Sequence, residues 1–111
     1  MEKRLGKIES VSFGLGGYQG AMLGLHVTLG DGSWGVGASK ANWDSEQIEW
    51  SKNTKWSESD RDEWYAEIMR YLSKLLKEAK VDSVDKLKGK PVEVTLDGNL
   101  LKEWRILTEV L

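Results

Sequence analysis

The side chains able to do chemistry are few and scattered. His26 is the only imidazole in 111 residues, and there is no cysteine. An all-protein zinc or iron site is therefore short of ligands. Neither a disulfide framework nor a thiolate centre can form, so no metal and no cofactor is expected. Serines are plentiful, but none sits in a Gly-x-Ser-x-Gly elbow. A nucleophilic triad would have to use His26 as its base. Asp60, Asp62, Glu63 and Glu67 cluster where a helix begins. Paired carboxylates can cleave glycosides, yet acids in a first helical turn ordinarily answer the helix dipole. No catalytic residue is assigned. The chain reads as a binding protein, with a small hydrolase built on His26 and carboxylates as the rival.

Recognition chemistry is better represented. Gly14, Gly16, Gly17 and Gly20 surround Tyr18 and Gln19. The segment after them alternates like a strand, so this is not a dinucleotide fingerprint, which must open a helix. No Gly-Lys-Ser/Thr follows, which excludes a P-loop. A mobile hairpin loop and a backbone nest for an anion both fit. Arg61 lies in a first helical turn, where the dipole disfavours a cation. It needs either a carboxylate partner or an anionic ligand, with Trp56 and Trp64 near enough in sequence to stack. Six tryptophans are present. Trp34, Trp64 and Trp104 have core assignments by periodicity. Trp43, Trp50 and Trp56 have none, and suit either a ligand surface or a loop folded over the sheet. The candidate ligand contacts are Tyr18, Gln19, His26, Trp43, Trp50, Trp56 and Arg61.

The elements that must position these residues follow from pattern. Ten of the twelve glycines precede Ala38, which marks a glycine-punctuated β region. A first strand runs from Lys7 to Phe13, and the opposite parity of Ile8 and Val11 implies a bulge. In the second, Ala21, Leu23, Leu25, Val27 and Leu29 share one face, with His26 on the other. Gly30-Asp31-Gly32 turns the chain. Trp34, Val36 and Ala38 form a third strand, whose Gly35 and Gly37 leave a trough on its opposite face. Residues 39–56 read as a long ordered loop with a helical turn near Asp44 to Trp50, a length that is often functional. Ser57 caps a helix whose Trp64, Tyr65, Ile68, Leu72, Leu75, Leu76 and Ala79 make one apolar stripe. A short turn from Ser83 to Leu87 follows. Val92, Val94 and Leu96 form a fourth strand, and Leu100 to Val110 a fifth with Trp104 and Ile106 inward. The expected fold is a single α+β domain over residues 1–111, an antiparallel sheet in βββ-α-ββ order packed on one long amphipathic helix.

Composition bounds the partners. The net charge of −2 is too balanced for a nucleic-acid binder, whose footprint is basic. Single-strand binding through Trp, Lys and Arg is kept as a weaker alternative. No apolar leader opens the chain, and no run is long enough to span a bilayer. A cytoplasmic protein with no membrane partner is the expectation. Exposed strand edges are compatible with a homodimer.

One resemblance adds to this. Phe13-Gly14-x-Gly16-Gly17-Tyr18-Gln19, Ala21-Met22-x-Gly24-Leu25, Trp34-Gly35-Val36-Gly37, Gly89-Lys90-Pro91-Val92-Glu93-Val94 and Trp104-Arg105-Ile106-Leu107-Thr108-Glu109-Val110-Leu111 resemble a group of short uncharacterised bacteriophage and prophage proteins. The chain departs from their pattern at Gly20, where an Asp is expected, and at Gly37-Ala38-Ser39, where Gly-Asp-Phe often stands. The likeness implies a phage accessory protein acting inside the host, in host takeover or counter-defence. It would sequester a small anionic nucleotide-type signal or bind and inhibit a host defence protein. A changed activity at Gly20 is a further implication.

Overall fold

A computed structural model describes residues 1–17, 20–43 and 58–111, without the side chains of Trp43, Glu58, Ser59 and Arg61. The described chain is α+β. Strands β1 (Glu2–Gly16), β2 (Met22–Gly30) and β3 (Gly35–Trp43) precede helix α1 (Glu58–Ala79), and β4 (Pro91–Asp97) and β5 (Leu100–Ile106) follow it. The strands form one sheet in the order β3-β2-β1-β4-β5, and every neighbouring pair is antiparallel.

β1 is the spine. Its residues Glu2 to Lys7 pair with β4, and Lys7 to Gly16 pair with β2. Its fifteen residues of strand at ~3.3 Å each make it long enough to serve both neighbours in turn. The register shift lies between Ile8 and Ser10, as the parity change implied. It lets Ile8 and Val11 both face the helix. At that point Ile8 is clasped, donating to the Lys90 carbonyl at 3.0 Å and accepting from the Gly89 N–H at 2.7 Å.

The core lies between α1 and one sheet face. Ile8, Leu25, Val27, Leu29, Leu75, Ala79, Leu87, Val92, Val94, Leu96 and Ile106 form it, with Trp34, Tyr71, Leu72 and Trp104 packed around. Burying each large aliphatic side chain contributes about 1.5–3 kcal/mol. The helix ends where Lys80 takes a left-handed φ of 59°. The Val81 N–H then reaches the Leu76 carbonyl at 3.0 Å and the Lys80 N–H the Lys77 carbonyl at 3.2 Å. This is a Schellman closure, which satisfies two otherwise orphaned carbonyls. Lys74 and Glu78 pair at 3.8 Å across one helical turn.

Four expectations need correction. β1 begins at Glu2 and continues through Gly16, because pairing with β4 and β2 holds residues whose own alternation is weak. β3 runs to Trp43, taking five residues assigned to the loop. β5 stops at Ile106, and residues Thr108–Val110 turn as a 3-10 helix once the Leu107 N–H has closed on the Pro91 carbonyl at 3.0 Å. Trp64 is not core: it is 44% exposed, since it lies in the first turns of α1, beyond the described core cluster.

Candidate binding surface

Antiparallel pairing fixes which side chains share a face. Opposite the helix, β1 contributes Ser10, Ser12, Gly14 and Gly16, β2 contributes Thr28, His26, Gly24 and Met22, and β3 contributes Gly37, Ser39 and Ala41. These eleven positions carry no carboxylate, lysine or arginine. They make a panel of mostly small residues, with Met22 and the His26 imidazole as the larger side chains. A shallow groove of about 170 Å³ runs over it, lined by Ser10, Ser12, Thr28 and His26 side by side with the Val11 and Val27 backbone.

The glycines of the panel are of two kinds. A Cβ at Gly16 would lie 3.0 Å from the His26 ring, and one at Gly24 would lie 2.4 Å from the Lys40 carbonyl oxygen. Those two are needed for internal packing. At Gly14 and Gly37 a Cβ would meet nothing within 4 Å. Glycine in a strand interior weakens it and often marks a close approach by a ligand or another backbone. Nothing inside the described chain asks for glycine at these two positions.

His26 is hydrogen-bonded through both ring nitrogens. Its Nε2 lies 3.1 Å from the Met22 carbonyl oxygen and its Nδ1 2.9 Å from Ser39 Oγ. A carbonyl only accepts, so Nε2 carries the proton. In the neutral ring Nδ1 then accepts from the Ser39 hydroxyl. Both nitrogens are therefore occupied within the sheet, and the ring meets a ligand through its face and edges. The arrangement resembles a nucleophile and its base, but an acyl-transfer site also needs donors for an oxyanion. Ser39 lies on β3, an outer strand of the sheet, so such donors would have to come from that strand's unpaired side.

The other face holds a second feature. The Lys40 ammonium stands 5.5 Å from the centre of the Trp64 ring and 5.8 Å from that of Tyr71, a cation held by two aromatic faces. The adjoining cavity, lined by Leu25, Val27, Ala38, Tyr71 and Trp104, is about 80 Å³, too small for a nucleotide by the usual scale of ligand pockets. A larger hollow of about 380 Å³ at the start of α1 is lined by Asp60, Glu63, Trp64 and Glu67. Three carboxylates make it a poor seat for an anion. Burial, and then the nearby Glu78 charge, raise the Tyr71 phenol above its ordinary value, so it stays a neutral donor.

Beyond the panel the same open face changes character. Lys3, Glu93, Arg105 and Glu109 form an ion-pair chain, with Lys3–Glu93 at 3.9 Å, Arg105–Glu93 at 3.3 Å and Arg105–Glu109 at 3.0 Å. The two-pronged Arg105 hydrogen bonds hold the Glu109 carboxyl down at about 2. At the β2–β3 turn, Asp31 accepts from the Ser33 hydroxyl at 2.7 Å and N–H at 2.8 Å and from the Trp34 N–H at 3.3 Å. These bonds, those of Ser33 first, hold its carboxyl below the usual carboxylate range.

Of the residues assigned to a site, His26 stands at the centre of the panel. Trp43 ends β3 with its backbone opposite Met22, its side chain outside the described residues. Arg61 lies in the first turn of α1, its side chain likewise outside. Tyr18, Gln19, Trp50 and Trp56 lie outside the described residues altogether. Sequence reasoning reaches Gly14 through the glycine loop and Gly37 through the trough beside Gly35, but not Ser12 and Ser39. The signal for those two is parity across three strands, which needs the register to be read. Among the described residues no group of three His, Asp or Glu side chains could hold a metal ion. No described helix is long and apolar enough to cross a membrane. No protein-family model matches the chain, and no curated protein or solved structure gives a significant match.

Proposed function

We propose that this protein acts by binding, without making or breaking bonds, and that the uncharged panel around His26 is the receiving surface. One observation carries this: Gly14 and Gly37 leave space that no part of the described chain uses. The ligand class that suits the panel is a small anion of nucleotide type. Hydroxyls of Ser10, Ser12 and Thr28 can donate to it, no carboxylate of the panel repels it, and the imidazole offers a flat face to a base. The phage-like strings make a host signal the natural source of such a ligand, with a host defence protein as the alternative occupant.

Calorimetry and thermal-shift titration with a set of nucleotides test the proposal. A ligand that binds the native state raises the melting temperature by mass action. Gly37→Val and Gly14→Val should fold normally, since a Cβ there meets nothing within 4 Å, and should weaken binding on the order of tenfold or more by filling the contact. Binding that is indifferent to both substitutions refutes the panel as the site. No binding to any nucleotide removes the small anion.

The Ser39–His26 hydrogen bond of 2.9 Å favours a second reading, a serine nucleophile for ester or acyl substrates. A fluorophosphonate probe decides it. Labelling of Ser39 that disappears in His26→Ala supports an enzyme, and an unlabelled protein excludes that serine.

A further inference from the structure

The two ends of β1 each have one unpaired side. Among the described residues, Glu2 to Gly6 bond only to β4, and from Glu9 to Gly16 the strand bonds only to β2. A strand edge is a template for another strand, and proteins guard it with charge, proline or a cover. The first edge is guarded: Glu2, Lys3 and Arg4 lie along it, with Arg4 bonded to Glu2 at 3.0 Å and stacked 5.7 Å over the Trp34 ring. The outer edges hold lysines too, Lys40 in β3 and Lys102 in β5. Among the described residues the second β1 edge is unguarded. From Ser10 to Gly16 it has no charge and no proline, and its Phe13 and Leu15 are 40% and 53% exposed, outside the core cluster.

We infer that this edge, Ser10 to Gly16, pairs antiparallel with the same segment of a second copy of this chain. The segment is self-complementary about its midpoint, Phe13. A two-fold axis there sets Phe13 against the partner copy's identical residue and matches Val11 with Leu15, Ser12 with Gly14 and Ser10 with Gly16. Pairing residues of equal parity keeps every apolar side chain on the helix side and every small one on the panel side. Aromatic and β-branched partners across the seam add to the ladder bonds. Glu9 falls opposite Gly17, so no like charges meet. Any shift of the axis draws in a charged residue or shortens the ladder. A dimer formed this way is isologous and closed, and it joins two panels into one continuous floor. The inference does not depend on what the panel binds.

Light scattering after gel filtration tests it over a range of concentrations. The expected mass is twice 12.5 kDa at high concentration. Phe13→Lys should return it to a monomer or weaken association by about tenfold or more, because like charges then meet at the axis. Met69→Lys, at an exposed methionine of α1, should leave it intact. The chain has no cysteine, so Phe13→Cys provides an independent readout. Paired strands bring facing Cα atoms to ~4.5–5.5 Å, within disulfide reach. A dimer cross-linked through that position under mild oxidation supports the pairing, with Met69→Cys as the control that stays uncross-linked. A wild-type monomer at every concentration overturns the inference, as does a dimer that survives Phe13→Lys unchanged.

Discussion

The sheet contains two halves built on opposite terms. Around the N-terminal part of β1, β4 and β5 supply a core face of Val92, Val94, Leu96 and Ile106 and an open face of ion pairs. Around its C-terminal part, β2 and β3 share the core through Leu25, Val27 and Leu29, yet their open face is hydroxyls, glycines, Met22, Ala41 and one histidine. An antiparallel sheet with one solvated face usually alternates apolar and polar residues. The first half obeys this with charges. The second obeys it with groups too small and too neutral to repel anything that lies flat on them. The contrast separates a face laced with ion pairs from one that carries no charge at its eleven panel positions.

The largest expected effect breaks the shared core. Ile8 is fully buried at the junction of the halves, and Leu15 is 53% exposed at the end of the arm. Ile8→Ala should cost about 2–5 kcal/mol, and Leu15→Ala within about 0.5 kcal/mol, both read from chemical denaturation. Equal losses would show that the arm packs as tightly as the core.

The next sharpens the division among glycines. Gly24→Ala places a Cβ 2.4 Å from the Lys40 carbonyl oxygen, whereas Gly37→Ala places it in open space. The first should destabilise by about 1–3 kcal/mol. The second should be neutral or stabilising by about 0.4–1 kcal/mol, through the lost entropy of the unfolded chain. A melting temperature that falls as far in Gly37→Ala as in Gly24→Ala would erase the distinction on which the binding surface rests.

The smallest effect is in acid. The Glu109 carboxyl is held at about 2 by Arg105, below its ordinary 4.5. A depressed carboxyl contributes stability that is complete above the unfolded value and is lost as pH falls through the folded one. Carbon-detected NMR titration should find the Glu109 midpoint near 2, with the 3-10 turn at Thr108–Val110 loosening below it. The panel has no carboxylate to titrate, so its amide shifts should stay level over the same window. A Glu109 midpoint at 4.5 would mean that the ion-pair chain does not form in solution.

Much of this was legible in advance. Leu25, Val27 and Leu29 alternate strictly, so their shared burial could be read from period two alone. The bulge after Ile8 followed from a parity break between Ile8 and Val11. Ile68, Leu75 and Ala79 followed from period 3.6. Trp64 obeys the same period and still emerges at the surface, because periodicity says which side of a helix faces inward but not where the sheet beneath it ends. His26 could be placed on the polar face. Its partner Ser39 could not, because the apolar alternation that marks the third strand ends at Ala38.

Local physics in the chain itself determined the succession of strands and helix, the turn at Asp31 and the lack of a thiol, since alternation, turn residues and composition are properties of neighbours in sequence. Only the tertiary structure decided that β1 serves two partners in succession, that Ser39 meets His26, and that no described residue fills the space at Gly14 and Gly37. Those facts depend on the register between strands, and register is set by the packing of the whole sheet on its helix.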